Sequence, residues 1–175
     1  METLQTYLPD YFFLALGLLL FLYMATDGYN LGLGIFSLAA RREEERSVMI
    51  HSIASTWHAS QTWLVILGGL LFGAFPVVYG VAMSALYVPV MIMLAGLAFR
   101  GVAIEFYDES PNRARWGLAF GLGSLVATVA QGFTLGGLLS GMPVVNGQFA
   151  GGWGDWLNPF SALVAAGGAA GFVLL

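Results

Sequence analysis

Residues Tyr11–Phe36 read YFFLALGLLLFLYMATDGYNLGLGIF, an apolar run long enough to cross a bilayer with one carboxylate, Asp27, inside it. About 20 apolar residues span a hydrocarbon core, so the run reads as a transmembrane helix. A lone carboxylate at membrane depth is strongly unfavourable unless it is paired or hydrated. Asp27 therefore points to proton, ion or substrate movement rather than to simple anchoring.

Composition agrees with that reading. The 175 residues are 58% hydrophobic and 9% charged, with a mean hydropathy of +0.80. A soluble domain needs a far more charged surface, so the chain is a polytopic membrane protein. All six basic residues are scattered Arg, which excludes a nucleic-acid partner. Without Cys there is no disulfide, thiolate metal site, iron–sulfur cluster or thioether-attached haem. The N-terminus has no basic region followed by a small-residue cleavage site, so no removable signal peptide is expected. No nucleotide loop, nucleophile elbow or zinc motif occurs.

Arg, Pro and acidic clusters mark off five apolar stretches. They run from Tyr11 to Ala40, Met49 to Ala74, Val77 to Ala103, Trp116 to Leu139, and onward from Pro159. The last stops at Gly171–Leu175 with nothing polar to close it, which predicts the N-terminal part of a longer subunit. The expected fold is all-α: a transmembrane helix bundle with four complete spans and the start of a fifth, forming one domain over 1–175. Arg41, Arg42 and Arg46 follow the first span, and Arg100, Arg113 and Arg115 border the loop after the third. The loops 75–78 and 140–158 carry no Arg. The positive-inside rule makes the basic loops cytoplasmic and puts the N-terminus outside.

Glycine pairs recur four residues apart: Gly28 and Gly32, Gly69 and Gly73, Gly117 and Gly121, Gly132 and Gly136, Gly167 and Gly171. Each pair puts small residues on one helix face and predicts close helix packing, leaving little room for a wide pore. The Gly-rich loop 140–158 carries Trp153 and Trp156, which read as rings at the headgroup layer.

Polar residues inside the spans are few. Asp27 and Asn30 share a helix face, and His51, Ser55 and His58 fall on one face of the second span, near Ser60, Gln61 and Thr62. Asp27 lies roughly 21 Å from Arg41 along a helix, and His58 roughly 18 Å from Arg46. Spans joined by a short loop are antiparallel neighbours, so Asp27 and His58 are expected to meet directly or through water. Such a pair either relays protons or serves as a static polar clasp. His51 lies nearer the surface and reads as a solvated residue. Two His two turns apart cannot hold one ion, so no metal site is expected. Trp57 and Trp63 bracket the polar patch and could line a flat aromatic ligand. Arg100 and Glu105 read as a snorkelling pair at the cytoplasmic helix end. Ser124, Thr128 and Gln131 stripe the fourth span and are expected to bond to neighbouring helices.

Six strings, in order, resemble subunit II of cytochrome bd-type quinol oxidases. They are Thr26–Gly34 (TDGYNLGLG), Trp57–Val65 (WHASQTWLV), Phe72–Pro76 (FGAFP), Ser84–Pro89 (SALYVP), Phe99–Phe106 (FRGVAIEF) and Gln131–Gly136 (QGFTLG). The resemblance implies the haem-free subunit of a bacterial inner-membrane oxidase that oxidises quinol, reduces oxygen to water and builds a proton gradient. It implies a partner, subunit I, carrying haems b and d and the quinol site, and leaves room for a small single-span accessory subunit. It also implies a role in assembly and in proton delivery from the cytoplasm, with Asp27, Asn30, His58 and Gln61 as path residues. A structural quinone at this subunit in some members makes Trp57 and Trp63 quinone-proximal candidates.

Many members have acidic residues where this chain has Asn30, His58 and Gln61, which points to a divergent branch such as the cyanide-insensitive oxidases. His58 could still carry protons, whereas Asn30 and Gln61 can only organise water. Family members are also about twice this length. The competing reading is half of a proton-coupled secondary transporter or channel, for which Gly28, Gly32 and Gly34 near Asp27 would make a broken helix. Span one, however, has no Pro after Tyr11, and the six strings have no reason to recur in a transporter. A purely structural scaffold would leave Asp27 unexplained.

Overall fold

The computed structural model describes residues 2–175, with side chains from Tyr7 onward. Seven helices make up most of it. In chain order they are α1 (Glu2–Ser37), α2 (Glu43–Ile53), α3 (Trp57–Ala74), α4 (Pro76–Ala85), α5 (Tyr87–Tyr107), α6 (Arg113–Leu139) and α7 (Pro159–Leu174). A two-stranded antiparallel hairpin, β1 (Val144–Val145) and β2 (Gln148–Phe149), lies between α6 and α7.

Local chemistry sets the helix ends. Pro76 and Pro159 open α4 and α7 from the first turn, where the missing N–H is not needed. The Asn112 and Asn158 side chains accept from the Arg115 and Ser161 N–H and cap α6 and α7. Asn146 and Gly147, both at positive φ, close the hairpin.

Two expected spans are each split. Residues 49–74 break at Ala54–Thr56, where the Thr56 amide and hydroxyl both turn back to the Ile53 carbonyl. Residues 77–103 break at Leu86. Pro89 would clash with the Ala85 carbonyl in a continuous helix, so α5 restarts after Ala85. The segments Tyr7–Ser37, Tyr87–Tyr107 and Arg113–Leu139 are long and apolar enough to cross a membrane.

Two apolar clusters form the interior. Leu31, Met93, Leu97, Ala127, Ala130 and Phe172 join α1, α5, α6 and α7. Ile50, Ile53, Ala103, Ile104, Tyr107 and Phe120 bind α2 to α5 and α6. Large apolar side chains such as Phe13, Leu14, Phe21 and Val65 face outward, as expected where lipid replaces water.

Three of the glycine pairs make the expected close approaches. A Cβ on Gly132 or Gly136 would overlap the backbone of Ala165 or Ser161 on α7, and one on Gly32 would overlap that of Phe172. Around Gly117 and Gly121 the neighbours are the Arg46 and Leu38 side chains. Gly69, Gly73, Gly167 and Gly171 have no described neighbour within 4 Å, so the packing expected of those two pairs is absent among the described residues.

Candidate functional site: a buried ion pair beside an apolar groove

Arg100 lies on α5 between Leu97 of the first apolar cluster and Ala103 of the second. Its backbone rests on α6, because a Cβ on Gly123 would come within 3.0 Å of the Arg100 amide nitrogen. From there the guanidinium reaches α1, where Nη2 donates to Asp27 Oδ1 at 2.7 Å. Both side chains are 0% exposed. At this depth neither charge is tolerable alone, and each offsets the other's desolvation.

The partner of Asp27 is therefore Arg100, not the expected His58. Nor is Arg100 at the helix end: Tyr107, the last residue of α5, is about 10 Å further along. The break before α3 interrupts the helix on which His58 was placed, and within α3 His58 lies on the side toward Glu105 of α5, whereas Gln61, one turn on, reaches Asp27. The break also puts His51 on α2 and His58 on α3, so they do not share a helix face. His58 stacks on Trp57, with ring centroids 3.8 Å apart, and its Nε2 lies 3.6 Å from Glu105 Oε1. Both side chains are well exposed, so Glu105 pairs loosely with His58 and not with Arg100.

Other polar groups extend the buried pair. Gln61 Nε2 donates to Asp27 Oδ2 at 3.4 Å. Asn30 Nδ2 donates to Ser60 Oγ at 3.0 Å, which ties α1 to α3 a second time. Gln131 of α6 donates to the hydroxyl of Tyr23, which is turned toward Asp27 one turn away. Of the stripe on α6, only Gln131 makes the expected bond across helices. Ser124 bonds within its own helix, and the Thr128 hydroxyl has no partner among the described residues. Arg100 Nε and Nη1 are also buried without a protein acceptor among those residues, an unfavourable state that a buried water would relieve.

A groove of about 590 Å³ runs between α3 and α5, lined by residues that include Trp57, Gln61, Leu64, Leu97, Gly101 and Glu105. Gln61 thus both lines the groove and touches Asp27. Trp57 lies across Gly101, with ring atoms 3.0 Å from where a Cβ would stand, and its indole N–H is buried without an acceptor among the described residues. Trp63 is not among the groove's lining residues.

Sequence reasoning missed Tyr23 and the role of Arg100. Both left a signal: Tyr23 lies four residues before Asp27 on the same helix face, and Arg100 is the lone cation in an apolar run that contains no acid before Glu105.

Long apolar helices closed around an internal ion pair define a polytopic membrane protein with a polar centre. Residues 8–175 match the model of the family described as cytochrome bd terminal oxidase subunit II, and the chain belongs to that family. It is 36% identical over 159 residues to the cytochrome bd-I ubiquinol oxidase subunit 2 of Escherichia coli K12, covering 86% of this chain and 42% of that protein. It is 32% identical over 150 residues to a probable cytochrome oxidase subunit 2 of Haemophilus influenzae, covering 81% and 40%. It is also 32% identical over 141 residues to the cytochrome bd ubiquinol oxidase subunit 2 of Bacillus subtilis, covering 78% and 42%. The chain thus spans about two-fifths of the length of these relatives.

Proposed function

We propose that this chain is part of the haem-free subunit of a quinol:oxygen oxidoreductase in the bacterial inner membrane. It assembles with a haem-bearing subunit I and supports proton delivery from the cytoplasm. Family membership supports the oxidase reading. The observation that carries the proton role is the Asp27–Arg100 pair at 2.7 Å, reached from the groove through Gln61. Paired in this way, Asp27 fixes a negative charge at depth while Arg100 keeps two donors for internal water. Asn30 and Gln61 orient the path, and the exposed His58–Glu105 pair serves as its proton-exchanging mouth. Haems b and d are assigned to subunit I, where they carry out oxygen reduction.

A structural quinone would lie in the groove against its apolar walls and the Trp57 ring. Trp57 and Gln61 would hold it. In the orientation that the Arg-rich loops favour, 38–46 and 108–115 face the cytoplasm and the N-terminus lies outside.

The test is to express the full-length protein with its candidate partner, purify it in mild detergent and record a reduced-minus-oxidised spectrum. Haem bands co-purifying with a larger subunit and quinol-driven oxygen uptake are expected. Asp27→Ala should lower turnover or complex yield far more than Glu105→Ala. Haem-free protein, purified alone from membranes shown to contain the candidate subunit I, would overturn the oxidase reading. Unchanged turnover and yield in Asp27→Ala would overturn the proton role.

A further inference from the structure

His51 is held by acceptors on both sides of its ring. Nδ1 lies 2.7 Å from the Ser47 carbonyl oxygen, and Nε2 lies 2.8 Å from Asp108 Oδ2 in the turn between α5 and α6. A carbonyl can only accept, so Nδ1 must carry a hydrogen. The Ser47 hydroxyl, at 3.3 Å, is a more distant contact of the same nitrogen. Asp108 also receives Arg113 on its other oxygen at 3.4 Å, which favours a carboxylate there. Nε2 must then carry a hydrogen as well. Only the doubly protonated, cationic imidazole makes both bonds.

The charged and titratable groups around this ring are few and define a small cluster. From α2 they are Glu43 and Arg46, which pair with each other at 2.9 Å. From α5 comes Tyr107, whose hydroxyl donates to Glu43 Oε1 at 2.6 Å and whose ring meets His51 edge-on at 6.0 Å. From the α5–α6 turn and α6 come Asp108 and Arg113, the latter 5.9 Å over the Tyr107 ring. The cluster fastens α2 where Ile50 and Ile53 enter the second apolar core. α2 runs through Ala54–Thr56 directly into Trp57, which lines the groove, and His58, which stacks on it.

We propose that His51 is a proton-set latch: protonated, it pins α2 to the α5–α6 turn, and on losing its proton it releases α2 and loosens the Trp57–His58 stack at the groove. The bond to the Ser47 carbonyl, and after it the bond to Asp108, raise the pKa of His51 above the ordinary histidine value. The sign follows from linkage. The latch is fully closed below about pH 6.5, the free-histidine value, and opens as pH rises through the higher folded value.

Hydrogen exchange of the membrane-embedded, full-length complex tests this, with rates corrected for intrinsic chemistry between pH 6 and 9. Protection of the α2 amides should fall several-fold across that range in the wild type. In His51→Gln, which supplies one donor and does not titrate, it should stay at the lower level throughout. Pinned α2 at pH 9 in the wild type, or the same pH-dependent fall in His51→Gln, would overturn the latch. The His51 ring provides a second readout: in the nitrogen-15 histidine spectrum of the same full-length complex, its signal is the one that disappears in His51→Gln. A cationic His51 at pH 6.5 is expected, and a neutral ring there would overturn the proposal.

Discussion

Opposite charges buried together stabilise a fold chiefly by what each would suffer without the other. Arg100→Leu strands the Asp27 carboxylate, which is 0% exposed. It should lower stability by about 3–5 kcal/mol, read as a fall in the thermal unfolding midpoint of the solubilised full-length protein. Asp27→Leu combined with Arg100→Met should recover most of that loss, because no charge remains unpaired. If the single and double variants unfold alike, the pair is not a coupled unit. Asp27 announced itself in the sequence as the one acid within an apolar run. Its partner did not, because matched depth along two helices does not say which side of a helix faces inward. Gln61 and Ser60 of α3 face α1 while His58 faces Glu105, and Arg100 reads as a helix-end residue because basic loops lie close by.

Helices meet here through glycine where the backbones touch. Gly132→Leu should push α7 off α6, because even a Cβ would overlap Ala165. Overpacking of this kind typically lowers stability by about 1–3 kcal/mol, visible as a lower unfolding midpoint. Gly69→Ala meets nothing within 4 Å and should leave stability unchanged or raise it by up to ~1 kcal/mol. A loss at Gly69 in the assembled complex would reveal a further surface packed on α3. The helix starts at Pro76 and Pro159 were readable because each carries its own start signal, whereas the start of α6, expected at Trp116, lies at Arg113 behind the Asn112 cap. The interruption at Leu86 was not, since apolar residues run through it unbroken and Pro89 stands three residues beyond. Gly69–Gly73 and Gly167–Gly171 have the same spacing as the packed pairs, so spacing identified a helix face without saying what lies against it.

The class of the molecule followed from its composition, because a chain with so little charge has no means of covering itself in water. The arrangement of its parts needed tertiary contacts: Gln131 and Tyr23 are 108 residues apart in the chain and still hydrogen-bonded. Orientation is checkable because residues 1–175 contain no Cys. Single cysteines at Glu44 and Gly147 in the full-length protein, with any Cys outside this stretch replaced by Ser, should differ when challenged with an impermeant thiol reagent on intact cells. Gly147→Cys is expected to label from outside and Glu44→Cys only after the membrane is opened. The reverse result would invert the topology.

Gly123 has one more consequence. Because the α6 backbone lies against that of α5 at Arg100, the cation belongs to a two-helix slab and cannot shift along α6 without separating the seam. The anion belongs to α1, which is tied to α3 by Asn30 and Ser60 as well as by Gln61. The two charges thus bridge the seam between α1 and the α5–α6 slab, which Leu31 and the Tyr23–Gln131 bond also close. The Asp27–Arg100 separation is then a gauge of how far that seam has opened.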